Sequence, residues 1–202
     1  MLKKLALIML FCMTGLARAE GGYETVTPAQ PTQNPAKIEV IEFFWYGCPH
    51  CYSLEPSMVK WLESKPANVE FIRQPAVFSE LWGKHAKAFF TAEALGVSEK
   101  VHADFFDAIQ NKKQKLTSED ELAKFFAAHG VKDEDFRAAY KSFLVDAKLR
   151  QAESMGPRYG ITGVPVLIVN GKYRITATTA KSQDNMIKVL DELIRQETAH
   201  AK

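Results

Sequence analysis

Cysteine is scarce in this chain, with three in 202 residues. Cys12 lies in an apolar N-terminal stretch, which leaves Cys48 and Cys51 for the rest of the protein. A bridge between those two closes so small a loop that it makes a poor staple, because chain constraint grows with loop length. Long apolar runs are missing too. Leu5 to Leu16 falls short of the about 20 residues that a membrane helix needs. With Lys3 and Lys4 before it and Ala17-Arg18-Ala19 after it, the stretch reads as an export signal over 1–19. An uncleaved anchor is the alternative. Leu10 and Phe11 before Cys12 do not fit a lipoprotein box. Excess charge of one sign is also lacking, at 26 basic against 24 acidic side chains. Loss of 1–19 takes away Lys3, Lys4 and Arg18, leaving 23 against 24 and one net negative charge. Nothing in that balance calls for nucleic acid. There is no second cysteine pair, no Met-rich or His-rich tract, and no internal repeat.

What is present is ordered. Residues 20–36 are polar, carry Pro28, Pro31 and Pro35, and read as a flexible arm. Lys37 to Tyr46 is a strand whose apolar run suggests cover on both faces. Pro49 to Ser64 is a helix with Leu54, Met58, Trp61 and Leu62 on one stripe, and Pro56 should kink it. Val69 to Arg73 is the next strand. The pattern then turns helical for about eighty residues. A helix from Gly83 to Leu95 stops at Gly96, and Ser98 caps the next. Ser118 and Glu121 form a capping box, and Gly130 ends that helix. From Asp133 one long helix carries Phe136, Tyr140, Phe143 and Ala147 to Gly156-Pro157. The aromatics here read as helical core rather than a ligand box. Asn170-Gly171 is a hairpin turn after Val166 to Val169, with Tyr173 to Ile175 pairing back, and a last helix runs from about Ser182 to Gln196. The length allows one compact domain with a helical subdomain inserted.

Chemistry concentrates at Cys48-Pro49-His50-Cys51, between the first strand and the first helix. Pro49 suits the first helical position and leaves Cys48 as the cap. A thiolate there faces unpaired backbone N–H groups and the positive end of the helix dipole, so the pair suits thiol–disulfide exchange. The competing reading is half of a zinc site, but zinc usually takes four ligands and no second pair exists. His50 is either an ordinary exposed residue or a donor to the Cys48 sulfur. His85, His102, His129 and His200 show no ligand spacing and read as surface or helix-end residues. Glu42 is an acid in an apolar strand. It either faces solvent at a sheet edge or lies buried beneath the pair.

Glu42-Phe43-Phe44, Cys48-Pro49-His50-Cys51-Tyr52, Gly163-Val164-Pro165 and Val169-Asn170-Gly171-Lys172-Tyr173 together resemble the DsbA family of exported bacterial thiol:disulfide oxidoreductases. The resemblance covers nearly all of the chain after the signal. It implies an α/β thioredoxin fold with an inserted all-helical subdomain, divided as 37–80 and 157–202 around 81–156. It implies that Cys48 is the attacked sulfur, Cys51 the resolving thiol, and Pro49 and His50 tuners of the thiolate. Pro165 should be cis, with Val164 offering backbone to an extended substrate. Glu42, Glu55 and Arg73 would form a buried charge group near the site, Arg73 standing where a lysine can stand. The implied activity is oxidation of unfolded exported proteins with free cysteines in a Gram-negative periplasm, by a protein that is soluble once its signal is cleaved. The Cys48–Cys51 disulfide serves in place of any cofactor or metal, and a quinone-linked membrane partner of the DsbB type reoxidises it. A reductase or isomerase of the same fold is the nearest rival, although the short arm cannot supply a dimerisation domain. A soft-metal chaperone is the more distant one.

Overall fold

The structure is a computed structural model that describes residues 21–200; the expected export signal lies outside them. Five strands form one mixed sheet in the order β1-β5-β4-β2-β3. The strands are β1 (Glu24–Thr25), β2 (Ile38–Phe44), β3 (Val69–Pro75), β4 (Val166–Val169) and β5 (Tyr173–Ile175). β2 and β3 run parallel and the other pairs are antiparallel. All seven residues of β2 are buried, as a central strand covered on both faces requires. Helix α1 (Pro49–Ser64) makes the crossover from β2 to β3. Pro56 lies inside it without ending it.

Side chains alternate along β2. Val40 packs with Leu54 and Met58 of α1 and with Met186, Leu190 and Leu193 of the last helix, α7 (Gln183–His200). Ile41 and Phe43 point the other way, toward Met155, Tyr159, Ile161 and Ile168. Between β3 and β4 stand five helices: α2 (Glu80–Ala94), α3 (Ser98–Gln110), α4 (Glu119–Ala128), α5 (Asp133–Tyr140) and α6 (Phe143–Arg158). Their shared core is largely aromatic, with Phe89, Phe105, Phe106, Phe126 and Phe136 all buried, and it reaches Phe44, Cys48 and Cys51. Among the described residues, no helix is long and apolar enough to cross a membrane.

Three expectations fail locally. The arm expected over 20–36 is pinned at Glu24 to Val26 rather than free. Glu24 and Thr25 pair with β5, Val26 N donates to the Lys172 carbonyl at 2.7 Å, and Arg174 grips Glu24 at 2.7 Å. The long helix from Asp133 is two, because Ser142 is extended (ψ 148°) and its hydroxyl accepts from Val145 N, starting α6 afresh. Phe143 therefore points outward at 81% exposure instead of continuing the buried stripe. Ser98 does not cap α3; Val97 holds that place with no side-chain bond. The Ser118–Glu121 capping box and the hairpin turn form as read, with Asn170 and Gly171 at φ 52° and 67°.

Candidate active site

Strand β2 ends at Phe44, and the chain turns through Trp45-Tyr46-Gly47 into Cys48. Cys48 is the N-cap of α1, at φ −89° and ψ 114°, and Pro49 follows it at the helix start. The cap function falls on sulfur: Cys51 N donates to Cys48 Sγ at 3.4 Å. The Cys48 thiol also donates to the Val164 carbonyl at 3.4 Å. Cys51 lies one turn in and is fully buried, while Cys48 keeps 8% of its surface.

The two thiols are split. Cys48 is lowered to about 6, first by the hydrogen bond from the Cys51 side chain, then, against partial burial, by the backbone N–H groups of Cys51 and His50 and the His50 charge. Cys51 is pushed far above its ordinary value, first by burial and then by the neighbouring Cys48. His50 is exposed. Its carbonyl accepts from Gln183 Nε2 of α7 at 2.6 Å, and Ser53 Oγ donates to Gln183 Oε1 at 3.0 Å. Val164–Pro165 is cis. Val164 is half-buried and borders a groove of about 610 Å³ that also touches His50, Thr162, Gly163 and Pro165.

Beneath the pair lies a buried polar chain. Glu42 sits in β2 opposite Arg73 of β3, with Arg73 Nε 3.6 Å from Glu42 Oε2. Arg73 also grips Glu55 of α1 at 2.5 Å. Glu55 lies 3.5 Å from His102 Nε2, and His102 Nδ1 is 2.9 Å from the Tyr46 hydroxyl. Glu42 is thus in the sheet interior rather than at an edge. Burial, then the Glu55 charge, push its carboxyl up to about 8 against the pull of Arg73. Among the described residues its Oε2 has no hydrogen-bond partner, which suits a protonated acid at neutral pH.

Residues 42, 55 and 73 are therefore brought together. His102 and Tyr46 extend the group, and no spacing in the chain marks them as members. His85 and His102, read as surface or helix-end residues, are buried at 3% and 5% exposure, because α2 and α3 turn them inward among aromatics. Burial lowers both their pKa values. No periodicity signals such a histidine. Gln183 likewise carries no sequence signal, since it is remote from His50 in the chain. Among the described residues, no group of three or more His, Cys, Asp or Glu is placed to hold a metal.

Comparison with known proteins bears on this geometry. Residues 82–191 match the model of the DSBA-like thioredoxin domain. A thiol:disulfide interchange protein DsbA of Pseudomonas syringae pv. tomato is 44% identical over 89% of this chain and 84% of the relative. One from Pseudomonas aeruginosa is 41% identical over 98% and 95%. The crystal structure of Pseudomonas aeruginosa DsbA superimposes with a TM-score of 0.85 at 42% identity, covering 89% of this chain and 94% of that one.

Proposed function

The chain belongs to the DsbA family of thiol:disulfide oxidoreductases, and from that premise we propose that it is a periplasmic dithiol oxidase donating a Cys48–Cys51 disulfide to newly exported proteins. One observation carries the reading: the thiol at the helix cap is acidic, while its partner one turn inside is the reverse. A stable thiolate leaves easily, and its disulfide is correspondingly ready to be reduced; DsbA proteins are themselves the standing example of this relation.

A substrate thiolate attacks Cys48 Sγ of the enzyme disulfide. A substrate–Cys48 disulfide forms, the Cys48–Cys51 bond breaks, and the electron pair leaves on Cys51. Cys51 is too basic to stay charged there and takes a proton. Glu42, Arg73 and Glu55 are the nearby buried group to which we assign the exchange of that proton with the interior. A second substrate thiolate then attacks the substrate sulfur of the mixed disulfide, and Cys48 departs as a thiolate held by α1 and His50. The substrate has lost two electrons and the enzyme has gained them. Pro49 starts the helix that makes the cap. Val164 and Pro165 present backbone beside Cys48, so that an extended peptide pairs by main chain with little demand on its side chains.

The disulfide carries the two electrons, so the cycle calls for no organic cofactor or metal. Unfolded proteins with free cysteines supply the electrons, and a quinone-linked membrane protein of the DsbB type removes them. The export signal over 1–19 delivers the chain to a periplasm. We take 37–80 with 157–202 as the thioredoxin-like unit and 81–156 as the helical insert. The test is equilibration of the pair with glutathione. An oxidase requires that the reduced form already predominate when glutathione is mostly oxidised. A pair that stays oxidised in reducing glutathione would make this a staple or a reductant, and the reading would fall.

A further inference from the structure

Trp45 stands directly before the redox turn, and its surroundings are built to hold it. Its indole stacks on Trp82 with centroids 4.3 Å apart and planes at 8°. Phe78 tilts against Trp82 at 5.0 Å and is 41% exposed. A Cβ on Gly47 would overlap the Trp45 ring, and the Trp45 carbonyl accepts from Cys48 N at 2.9 Å. Trp45 is therefore in contact with the turn that delivers Cys48, and it is partly exposed there.

One side chain fixes the polar edge of that indole. Trp45 Nε1 lies 3.0 Å from His85 Nδ1, and His85 Nε2 lies 3.0 Å from the Lys115 carbonyl. An indole N–H only donates, so Nδ1 must be unprotonated. A carbonyl only accepts, so Nε2 must carry the hydrogen. The two neighbours together permit one species, the neutral ring protonated at Nε2. Phe105 closes the ring's edge at 5.9 Å and 80°. The Lys115 loop is itself tied to the site, since Asn111 Nδ2 donates to the hydroxyl of Tyr52, the residue after Cys51, at 2.7 Å.

We propose that His85 is a positioning residue for substrate: it fixes the Trp45 indole as an apolar wall beside Cys48 against which the substrate peptide lies. This rests on the oxidase reading. His85 touches neither sulfur. It acts by holding a wall, so its loss weakens peptide binding more than it slows exchange.

The experiment uses the mature protein, returned to its disulfide form after each turnover by excess oxidised glutathione, and a peptide with two cysteines. His85→Leu fills the space and offers no polar atom. His85→Gln offers an oxygen to the indole and an N–H to the Lys115 carbonyl. His85→Leu should raise KM about tenfold, the scale of one lost positioning hydrogen bond, and leave kcat within about twofold. His85→Gln should return KM to within about twofold of the parent. Nitrogen NMR at neutral pH should show His85 neutral and protonated at Nε2, and the Trp45 indole proton should shift in the Leu variant and hold in the Gln variant. An unchanged KM in His85→Leu, a fall confined to kcat, or a ring charged or protonated at Nδ1 would overturn the assignment. If His85→Leu does not fold, His85→Gln decides: a KM raised about tenfold there overturns it, and parental KM with a held indole proton supports it. A parent protein that oxidises no dithiol peptide would instead sink the oxidase reading, while the NMR signatures would still report on the tether.

Discussion

Along one side of α1, Leu54, Met58 and Trp61 meet Val40, Leu167, Leu190 and Leu193. Toward the helical insert, Cys48 and Cys51 meet Phe44, Tyr46, Phe105 and Phe106. The first core is almost wholly aliphatic and the second is aromatic. The difference has a chemical consequence. Aliphatic side chains bring no polar atom inside, whereas Tyr and Trp bring O–H and N–H groups that must find partners when buried. On the aromatic side those partners are histidines, His102 for Tyr46 and His85 for Trp45. Both cysteines belong to that side. Stability and reactivity are thus housed in adjoining but different cores, with Glu42 and Glu55 at the seam.

The largest effect should come from the aliphatic core. Leu190→Ala removes a fully buried side chain and should cost about 2–5 kcal/mol. Urea unfolding should show the loss in both redox states, while the Cys48 thiol titrates where it did before. A moved titration would mean that the two cores are not separable. Glu42→Gln tests the seam and should stabilise by about 3–4 kcal/mol at neutral pH. The carboxyl is raised to about 8 in the fold from about 4.3 unfolded. Its contribution is therefore full below the unfolded value and lost as pH rises through the folded one. The glutamine mimics the protonated acid and does not titrate, so its advantage should grow between about pH 5 and 8. An advantage that stays flat across that range would refute the raised carboxyl.

On the aromatic side, the reduced form should be the more stable by about 1 kcal/mol at pH 7. Cys48 is lowered to about 6 from about 8.5 unfolded. Its stabilisation is complete only above the unfolded value and vanishes as pH falls through the folded one. Above about 8.5 the raised Cys51 works against it. Paired urea melts at pH 7 and pH 5 should show the gap close, and His50→Ala should narrow it at pH 7. An oxidised form clearly more stable at pH 7 would reverse the reading of the pair. The smallest effect belongs to Ser118→Ala, which removes the capping box of α4 at about 1 kcal/mol. Thermal melting should register it and the glutathione equilibrium should not. A redox shift would extend the reactive core further than the aromatic packing indicates.

What could be read from the chain was what neighbouring residues decide between themselves. The Cys48 cap, the whole of α1, the Ser118 box and the Asn170-Gly171 turn depend on spacings of a few residues, and each stands where the spacing puts it. The break at 142 gives no signal in the sequence because Phe136, Tyr140 and Phe143 keep helical spacing across it, and Ser142 makes it by capping. The pairing at 24–26 leaves no trace in the sequence, because proline-rich polar composition says nothing about a two-residue strand whose partner lies in β5. The polar chain from Glu42 to Tyr46 is the clearest case. Glu42 stands out as an acid in an apolar strand, and the resemblance implies Glu55 and Arg73, but His102 joins from a helix whose orientation only the packed aromatic core decides.

The neighbours of β2 have a bearing on how the chain comes together in time. β3 follows closely, but β4 begins at Val166, beyond all five inserted helices. The carbonyl of Val164, the Gln183 clamp on His50 and the strand that pins Glu24 all arrive from the same late segment. A polypeptide made from its N-terminus exposes Cys48 and Cys51 long before the residues that finish their surroundings exist. Contacts of such sequence separation close slowly, because loop closure precedes any reward from pairing. The helices between them have mostly local contacts and can form first. The reactive pair is therefore among the earliest parts of the molecule to be synthesised and among the last to be completed.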